Sequence, residues 1–397
     1  MERLTIELKK NVSNPISGND DIIELIKLDK YPITENFQNF GEKQANFQTF
    51  FDQNLLFCPE INHAFLGTLL PQDFLYSSKN YNTLSAGSEG SLKALKNFSN
   101  FVFQRIENVP DYFIDVGAND TSLLSDFAKT GSRLVGIDPN IKGNDTEIVL
   151  VKDYLENVDL NSIVGKTAKK VFLCSHTLEH IYDTKNFFHV LAESSNESDE
   201  FFFQFPSLEM LLKDSRFDQI HHQHINYFSL ESFSILASEF GFEILAHRFD
   251  PDHYGALMTH FRKGKPNSKL FRYKSFPTVE EIKLKYGNFL RDMQVTNQIL
   301  QGLKNDFYCY GASLMLPILA YYLPNMAFCK AIIDDDPSKH GLCFVNFYRK
   351  IISGNEIDWV NQNVLVTAVS TKLATRKVLM KLFKIKTKNV ILPLSGI

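Results

Sequence analysis

Three histidines stand close together in one largely apolar segment of the chain, at His221, His222 and His224. Imidazole changes its charge near neutral pH, so such a side chain can take a proton from a substrate as a general base. A metal site and plain hydrogen bonding within a loop are the two alternatives. A metal ion needs three or four converging ligands, whereas the adjacent His221 and His222 usually point apart. We therefore expect no metal here, while proton abstraction and a structural role both stay open.

A glycine turn followed by a carboxylate forms a second candidate site. Gly117 ends an apolar run within Asp115–Asp120, and Asp138 ends the next run, 21 residues later. A carboxylate at this offset can accept both hydroxyls of a ribose, and glycine lets a ligand approach the backbone. A dinucleotide site prefers Gly-x-Gly-x-x-Gly, but Asn119 and Ser122 occupy the second and third glycine positions. The spacing alone suits a nicotinamide cofactor and S-adenosylmethionine equally, but the missing glycines favour S-adenosylmethionine, which has a ribose and no phosphate. An ordinary strand, turn and helix is the alternative.

Alternating strands and helices must position these residues. Apolar runs bounded by glycine or aspartate predict strands, and apolar residues three and four apart predict helices. The predicted strands lie at 112–117, 134–138, 147–151, 170–175 and 200–205, with two late strands at 242–249 and 257–261. Such alternation is typical of a doubly wound parallel sheet, where ligands bind beyond the carboxyl ends of the strands.

The chain is therefore predicted to have an α/β fold with more than one domain. A second alternating unit begins near residue 306, after a helix at 278–304. The predicted segments are a small irregular N-terminal domain (1–90), a doubly wound Rossmann-like domain (91–264), a linking helix region (265–305) and a C-terminal Rossmann-like α/β domain (306–397).

Composition excludes several classes of function. The chain has 397 residues, with 42 basic and 46 acidic side chains and a net charge of −4, which does not suit a nucleic-acid binder. Five scattered cysteines without Cys-x-x-Cys spacing argue against a disulfide framework. The most apolar stretch, 312–323, is too short to span a bilayer. We expect a cytoplasmic protein, monomeric or dimeric, without nucleic-acid or membrane partners.

Six segments resemble, in chain order, the motifs of one enzyme family, the three-domain class I S-adenosylmethionine-dependent sugar C-methyltransferases. The family motifs are (E/D)-I-G-S-N-D-G-x-L-L, H-V-L-E-H-I, F-D-x-I-Y-H-E-H-x-x-Y-F-S, H-G-G-S-L-R, Y-G-A and D-x-x-P-x-K-x-G. The matching segments here are Asp115–Leu124, Ser175–His180, Phe217–Ser229, His253–Leu257, Tyr310–Ser313 and Asp336–Gly341.

The resemblance implies methyl transfer from S-adenosylmethionine to a nucleotide-linked keto-deoxysugar, the expected small-molecule partner. In this family a base removes the proton beside a ketone, and the resulting enolate attacks the sulfonium methyl group. The implied catalytic residues are His224 as the base, His222, Tyr227 and His180. The cofactor-binding residues are expected to be Asp115, Gly117, Asn119, Asp138, His176 and Glu179. The substrate-binding residues are expected to be Tyr76, Tyr81, His221, His253, Gly255 and Tyr310.

The chain departs from the family at positions that bear on chemistry. Gln223 replaces the Glu beside the base and cannot supply a negative charge to His224, and Met258 replaces an Arg. These differences keep three alternatives open. They are a sugar O-methyltransferase, a non-catalytic relative that binds a nucleotide-sugar, and a nicotinamide-dependent sugar oxidoreductase, which the incomplete glycine motif disfavours.

A zinc site that the family carries in its N-terminal domain is expected to be lost. Of its two Cys-x-x-Cys pairs, the chain keeps Cys58, with Ile61 at the partner position. Asn11 and Asn14 stand where the other pair would fall. A single cysteine cannot form a tetrahedral thiolate site, so we expect no structural zinc.

Overall fold

The computed structural model describes residues 6–43, 47–76, 88–143, 145–253, 255–264, 270–385 and 387–393. A seven-stranded, a five-stranded and a four-stranded sheet form its framework. None of the helices within these ranges combines the length and the apolar character that crossing a membrane requires.

The N-terminal segment forms an antiparallel sheet, in contrast to the irregular domain that the sequence predicted. Its elements are β1 (Lys9–Lys10), β2 (Ile23–Pro32), β3 (Phe37–Asn39), β4 (Phe50–Cys58), β5 (His63–Leu66), β6 (Thr68–Leu69) and the short helix α1 (Gln72–Leu75). Register shifts between Glu24 and Ile26 and between Leu28 and Tyr31 interrupt the β2–β4 pairing. Because each shift breaks the alternation of buried and exposed side chains, the period of two is hard to see in the sequence.

The central part of the chain forms the predicted doubly wound sheet. Its elements are α2 (Glu89–Phe103), β7 (Tyr112–Val116), α3 (Ser122–Ser125), β8 (Arg133–Ile137), β9 (Ile148–Val151), α4 (Leu160–Val164), β10 (Lys170–Ser175), α5 (Thr184–Glu193), β11 (Glu200–Phe205), α6 (Leu208–Lys213), β12 (Asn226–Tyr227), α7 (Leu230–Glu239), β13 (Phe242–Phe249) and β14 (Leu257–Lys263). The strand order is β13-β14-β11-β10-β7-β8-β9. The five strands from β7 to β11 run parallel, and β14 runs antiparallel to β11. The strand order reverses between β7 and β10, and such a switch point is where sheets of this kind bind ligands.

The C-terminal part is a second parallel sheet preceded by a long helix. Its elements are α8 (Val279–Gly302), β15 (Tyr308–Tyr310), α9 (Leu316–Tyr322), β16 (Ile332–Ile333), β17 (Leu342–Phe344), β18 (Ile351–Ile352), β19 (Asn363–Val366), α10 (Lys372–Ile385) and β20 (Asn389–Ile391). The order β18-β16-β15-β19-β20, with parallel pairing throughout, is again doubly wound. The predicted second Rossmann-like unit is therefore present.

Strand pairing and core packing cross the predicted domain boundaries. Strand β12 lies at the edge of the N-terminal sheet beside β5, and β17 pairs with β3. One apolar cluster joins Leu25 of β2, Phe289 of α8 and Leu316 of α9. The helix predicted as a linker is thus part of a shared core, and the boundaries themselves remain predictions.

Two buried histidines, one in the N-terminal sheet and one packed against it, should make the fold sensitive to acid. Burial lowers the pKa of His63 to about 3 and that of His222 to about 4. The unfolded chain binds protons on these rings below pH 6.5 while the folded chain does not, so stability falls as pH drops from about 6.5 towards about 4. Each ring contributes a slope of about 1.4 kcal/mol per pH unit. Asp115, whose pKa burial raises to about 8, acts in the opposite direction.

Replacing His63 with phenylalanine should isolate one of these contributions. His63 packs against Phe65 and Phe228, so an aromatic ring of similar shape fits the site. Urea unfolding at pH 7, 6 and 5 should show a shallower pH dependence in the variant, by about 1.4 kcal/mol per unit. Because Asp115 is unchanged, its contribution to the pH dependence is the same in both proteins and cancels in the comparison. Parallel curves for the two proteins would contradict the assignment.

Candidate active site

The carboxyl ends of both parallel sheets face one cavity of about 750 Å³. Gly117, Asp138 and His176 line it from the loops that follow β7, β8 and β10. Ser313 and Ser370 line it from the loops that follow β15 and β19. Its size is within the range of small-ligand sites. Because two switch points meet there, the cavity can hold a ligand between the sheets.

The glycine turn after β7 packs closely against the side chain of Thr177. Gly117 has a φ of +84°, and a Cβ at this position would overlap the side chain of Thr177. The sequence suggested that Gly117 leaves room for a ligand, but Thr177 fills the space that a Cβ would need. Gly117 therefore permits both the left-handed turn and the close approach of the loop after β10.

Asp138 is held by the backbone of the loops beside it. Its Oδ1 accepts a hydrogen bond from the Asn140 amide at 2.6 Å, and its Oδ2 accepts one from the Asn119 amide at 3.2 Å. Burial raises the pKa of Asp138 above its usual range. Each carboxylate oxygen has a further lone pair, so the side chain can also accept bonds from ligand hydroxyls.

Five histidines line the cavity and form the histidine cluster: His176, His180, His221, His224 and His253. The ring of His224 lies 3.8 Å from that of His221 and 4.9 Å from that of His180, between centroids. The rings of His176 and His253 are 4.7 Å apart. Burial lowers the pKa of His221 to about 3, and burial and the neighbouring rings lower the pKa of His224 well below 6.5. The rings of His221 and His224 are therefore neutral at pH 7.

Two residues fix the hydrogen-bonding pattern around His180. Its Nδ1 lies 2.8 Å from the carbonyl oxygen of Gln223 and 3.0 Å from the hydroxyl of Tyr76. Since a carbonyl can only accept, Nδ1 carries the proton, and Nε2 is the unprotonated nitrogen of the neutral ring. This contact ties the turn after β10 to the histidine segment.

Glu179 lies behind the cluster and is fully buried. Its Oε1 is 3.2 Å from His176 Nδ1 and 3.8 Å from His224 Nε2. Ligand atoms of Glu179, His180 and His224 lie within 4.8 Å of one another, a spacing that could also hold a metal ion. The expectation of no metal at this site remains a prediction.

Ten of the residues predicted for the site line the cavity. They are Tyr76, Gly117, Asn119, Asp138, His176, His180, His221, His224, Tyr227 and His253. Tyr81 lies outside the described residues. Among the described residues, five predicted ones lie behind or away from the lining: Asp115, Glu179, His222, Gly255 and Tyr310.

Two of these five residues, His222 and Tyr310, contact other parts of the protein instead of the cavity. His222 points into the N-terminal sheet, with Nε2 3.2 Å from the Tyr31 carbonyl and Nδ1 3.1 Å from the Gln53 amide nitrogen. It therefore cannot act as a catalytic residue in this cavity. Tyr310 lies within β15, and its hydroxyl donates to Asp335 rather than facing a substrate.

Two more of the five, Asp115 and Gly255, have structural roles in a strand and a turn. Asp115 is buried inside β7, behind the glycine turn, so a cofactor in the cavity does not reach it. Gly255 has a φ of +67°, and a Cβ there would overlap Met210. Its lack of a side chain serves this packing.

Sequence reasoning missed lining residues on two walls. Tyr154, Leu155 and Glu156 follow β9, and the rule that ligands bind past strand ends could have indicated them. Arg216 and Lys339 also line the cavity. Arg216 makes a bidentate pair with Asp218 at 2.8 Å, so its guanidinium is fixed in place.

The zinc-ligand positions are occupied by packing and hydrogen bonds. Cys58 and Ile61 are buried in one apolar cluster with Ile16. Asn11 donates to the Leu66 carbonyl, and the Asn14 side chain accepts from the amide of Ile16. These contacts support apolar packing of the segment, and the absence of structural zinc stays a prediction.

Comparison with known proteins identifies the central unit. A family described as "Methyltransferase domain" matches residues 91–247. The C-methyltransferase NovU of Streptomyces niveus is 24% identical over 249 residues, which cover 61% of this chain and 59% of NovU. The chain thus aligns with somewhat more than half the length of this relative.

Solved structures with partial similarity include two bacterial or archaeal proteins. The 1,6-didemethyltoxoflavin-N1-methyltransferase of Burkholderia thailandensis is 14% identical, with 49% of this chain and 86% of that chain covered and a TM-score of 0.37. The PH0226 protein of Pyrococcus horikoshii is 11% identical, with 49% and 99% covered and a TM-score of 0.37.

The family match coincides with the doubly wound sheet and with the loops that carry Gly117, Asp138 and His176. It confirms the prediction of a methyltransferase domain with S-adenosylmethionine as its cofactor. Residues 91–247 of this chain match the methyltransferase domain family.

Proposed function

We propose that this chain transfers a methyl group from S-adenosylmethionine to a carbon of a nucleotide-linked keto-sugar, with His224 as the general base. The observation that carries the proposal is the position of His224. It lines the same cavity as Asp138 and keeps 17% of its side chain exposed within an otherwise buried segment. The name of the relative, a C-methyltransferase, and the sugar-methyltransferase motifs both support carbon as the acceptor.

The residues around Asp138 fit the cofactor. The fixed carboxylate of Asp138 retains lone pairs for the two ribose hydroxyls, and Leu155 supplies an apolar surface beside it. When bound, S-adenosylmethionine supplies an electrophilic methyl group. Asn119 and His176 would complete its binding site from the loops after β7 and β10.

His224 offers an unprotonated ring nitrogen to a substrate in the cavity. Burial and the neighbouring histidines lower its pKa, so the ring is neutral at pH 7, and the same shift lowers its basicity. The low dielectric of the cavity strengthens its electrostatic interactions with a bound substrate. Tyr227 and His180 lie beside it, and the hydroxyl of Tyr76 reaches His180 at 3.0 Å.

The opposite wall of the cavity suits the nucleotide part of the substrate. Ser313, Lys339, Ser370 and Thr371 line it from the C-terminal sheet. Lys339 Nζ lies 3.6 Å from the carboxylate of Asp334 and donates to the carbonyl of Ala312 at 3.1 Å. A cation and hydroxyl donors together can bind a phosphate group.

A panel of nucleotide-linked sugars tests this function. The protein would be incubated with methyl-labelled S-adenosylmethionine and sugars with or without a keto group, and products would be analysed by mass spectrometry and NMR. We expect label on the carbon beside the ketone. Label on oxygen would favour the O-methyltransferase alternative, and no transfer to any sugar of the panel would contradict the proposal.

A further inference from the structure

We propose that Glu179 is the carboxylate partner of His224, a positioning residue that holds the proton of the neutral ring on Nε2 and stabilises the charged ring formed during catalysis. The inference rests on the proposed function, because it concerns the base of that reaction. It also accounts for Gln223, which stands where the related enzymes have a glutamate beside the base.

The position of Glu179 suits this role. Its side chain is fully buried in the loop that follows β10, and Oε1 lies 3.8 Å from His224 Nε2. Hydrogen bonds at catalytic sites are often long in ligand-free structures and shorten when substrate binds. The same oxygen is 3.2 Å from His176 Nδ1, so a single carboxylate oxygen contacts two rings of the histidine cluster.

The backbone fixes Glu179 and His224 relative to each other. The carbonyl oxygen of Glu179 accepts a hydrogen bond from the Ile225 amide at 2.9 Å, directly after His224. On the other side, His180 Nδ1 donates to the carbonyl of Gln223 at 2.8 Å, directly before His224. The two segments are therefore tied together on both sides of the base, which limits the movement of its ring.

The other polar side chains considered as partners of His224 form hydrogen bonds with other residues. Gln223 Oε1 accepts from the Thr34 hydroxyl at 2.7 Å and lies 3.0 Å from His221 Nδ1, so this side chain faces away from His224. The carboxylate of Asp138 holds the amides of two loop residues. Among the residues that the structure describes, Glu179 is the carboxylate that pairs with His224.

The arrangement assigns a task to each nitrogen of His224. With the Nε2 proton directed at Glu179, Nδ1 is the atom that takes the proton from the substrate carbon. The carbon–hydrogen bond breaks, its electron pair stays on the substrate as the enolate, and the new nitrogen–hydrogen bond forms at Nδ1. The ring then carries a positive charge beside the carboxylate until it releases the proton to water.

Nitrogen NMR of the histidine rings tests the pairing directly. Protein labelled with ¹⁵N-histidine would be measured at pH 7.5, with the His224 signals assigned from a His224→Asn variant. In the wild type we expect His224 to be the tautomer protonated on Nε2. In Glu179→Gln, which keeps the side-chain shape, we expect that preference to weaken or reverse, because an amide can donate as well as accept. The same tautomer in both proteins would overturn the proposal.

Steady-state kinetics provide a second test, because kcat and its pH profile would not change in this way if Glu179 had only a structural role. Glu179→Gln should lower kcat by about 100-fold or more, with KM for the sugar and the Kd for S-adenosylmethionine nearly unchanged. Loss of the carboxylate should also shift the acid limb of the kcat profile to lower pH, by about one unit or more. Unchanged kcat, or a loss confined to KM, would overturn the proposal.

Controls separate this proposal from its alternatives. Glu193 is an exposed glutamate beside His189 on α5, and Glu193→Gln should leave the His224 signals and kcat unchanged. Metal analysis of the wild type should find less than one equivalent at this cluster; a stoichiometric ion lost in Glu179→Gln would make Glu179 a metal ligand and overturn the pairing. If no sugar is methylated, the proposed function fails, whereas the tautomer comparison still decides the role of Glu179.

Discussion

Replacing His224 with alanine should abolish methyl transfer, with kcat lower by about 10²- to 10⁴-fold. The ring lines the cavity, is neutral at pH 7, and lies next to Glu179. The affinity for S-adenosylmethionine should be nearly unchanged, because in our proposal Asp138 and the loops after β7 and β8 bind the cofactor. Steady-state kinetics and calorimetry on the same preparations would measure both quantities.

Proton exchange can separate the role of His224 from the methyl transfer itself. In D₂O with S-adenosylhomocysteine, the wild type should exchange the proton on the carbon beside the ketone of a bound keto-sugar, and His224→Ala should not. His189, an exposed histidine on α5, provides the matched control, and His189→Ala should retain exchange and turnover. Normal exchange in His224→Ala would remove this residue from the role of base.

Replacing Asp138 with alanine should give the largest loss of cofactor affinity. Charge-assisted hydrogen bonds contribute about 1.5–3 kcal/mol, so Kd for S-adenosylmethionine should rise roughly 10- to 150-fold. The loss has two physical causes. The ribose hydroxyls lose their acceptor, and the amides of Asn119 and Asn140 lose the carboxylate that orients their loops.

The opposite wall of the cavity offers a control for charge alone. Asp336 lines the cavity from the C-terminal sheet, and its side chain accepts from the Ser338 amide. Asp336→Ala removes the same charge from the same cavity but should leave the cofactor Kd nearly unchanged. Equal losses in the two variants would show that Asp138 acts through the net charge of the cavity and not through the ribose.

The central sheet could be predicted from the sequence because its parallel strands are short apolar runs, two of which end directly before a glycine or an acid, at Gly117 and Asp138. Strands β10, β11 and β13 have the predicted bounds. The N-terminal sheet was missed because two register shifts break its alternation, and because β12 contributes only two residues from a distant segment. Pairing of this kind depends on tertiary contacts that no local period reveals.

Within the histidine motif, residue type alone does not predict which side chains reach the cavity. His222 and His224 are two residues apart, yet one contacts the N-terminal core and the other lines the cavity. Because the two residues are of the same type, the backbone turn between them determines which ring faces the cavity. Asp115 and Tyr310 belong to strands rather than to the loops past strand ends, and a strict use of that rule would have excluded both.

A crystal structure of the chain grown with S-adenosylhomocysteine would show whether the cavity holds the cofactor. We predict the ligand in the cavity between the two sheets, with its ribose hydroxyls on the Asp138 carboxylate and its sulfur on the side of His224. Binding of this ligand elsewhere on the protein, or a ribose that makes no contact with Asp138, would contradict the proposed cofactor site.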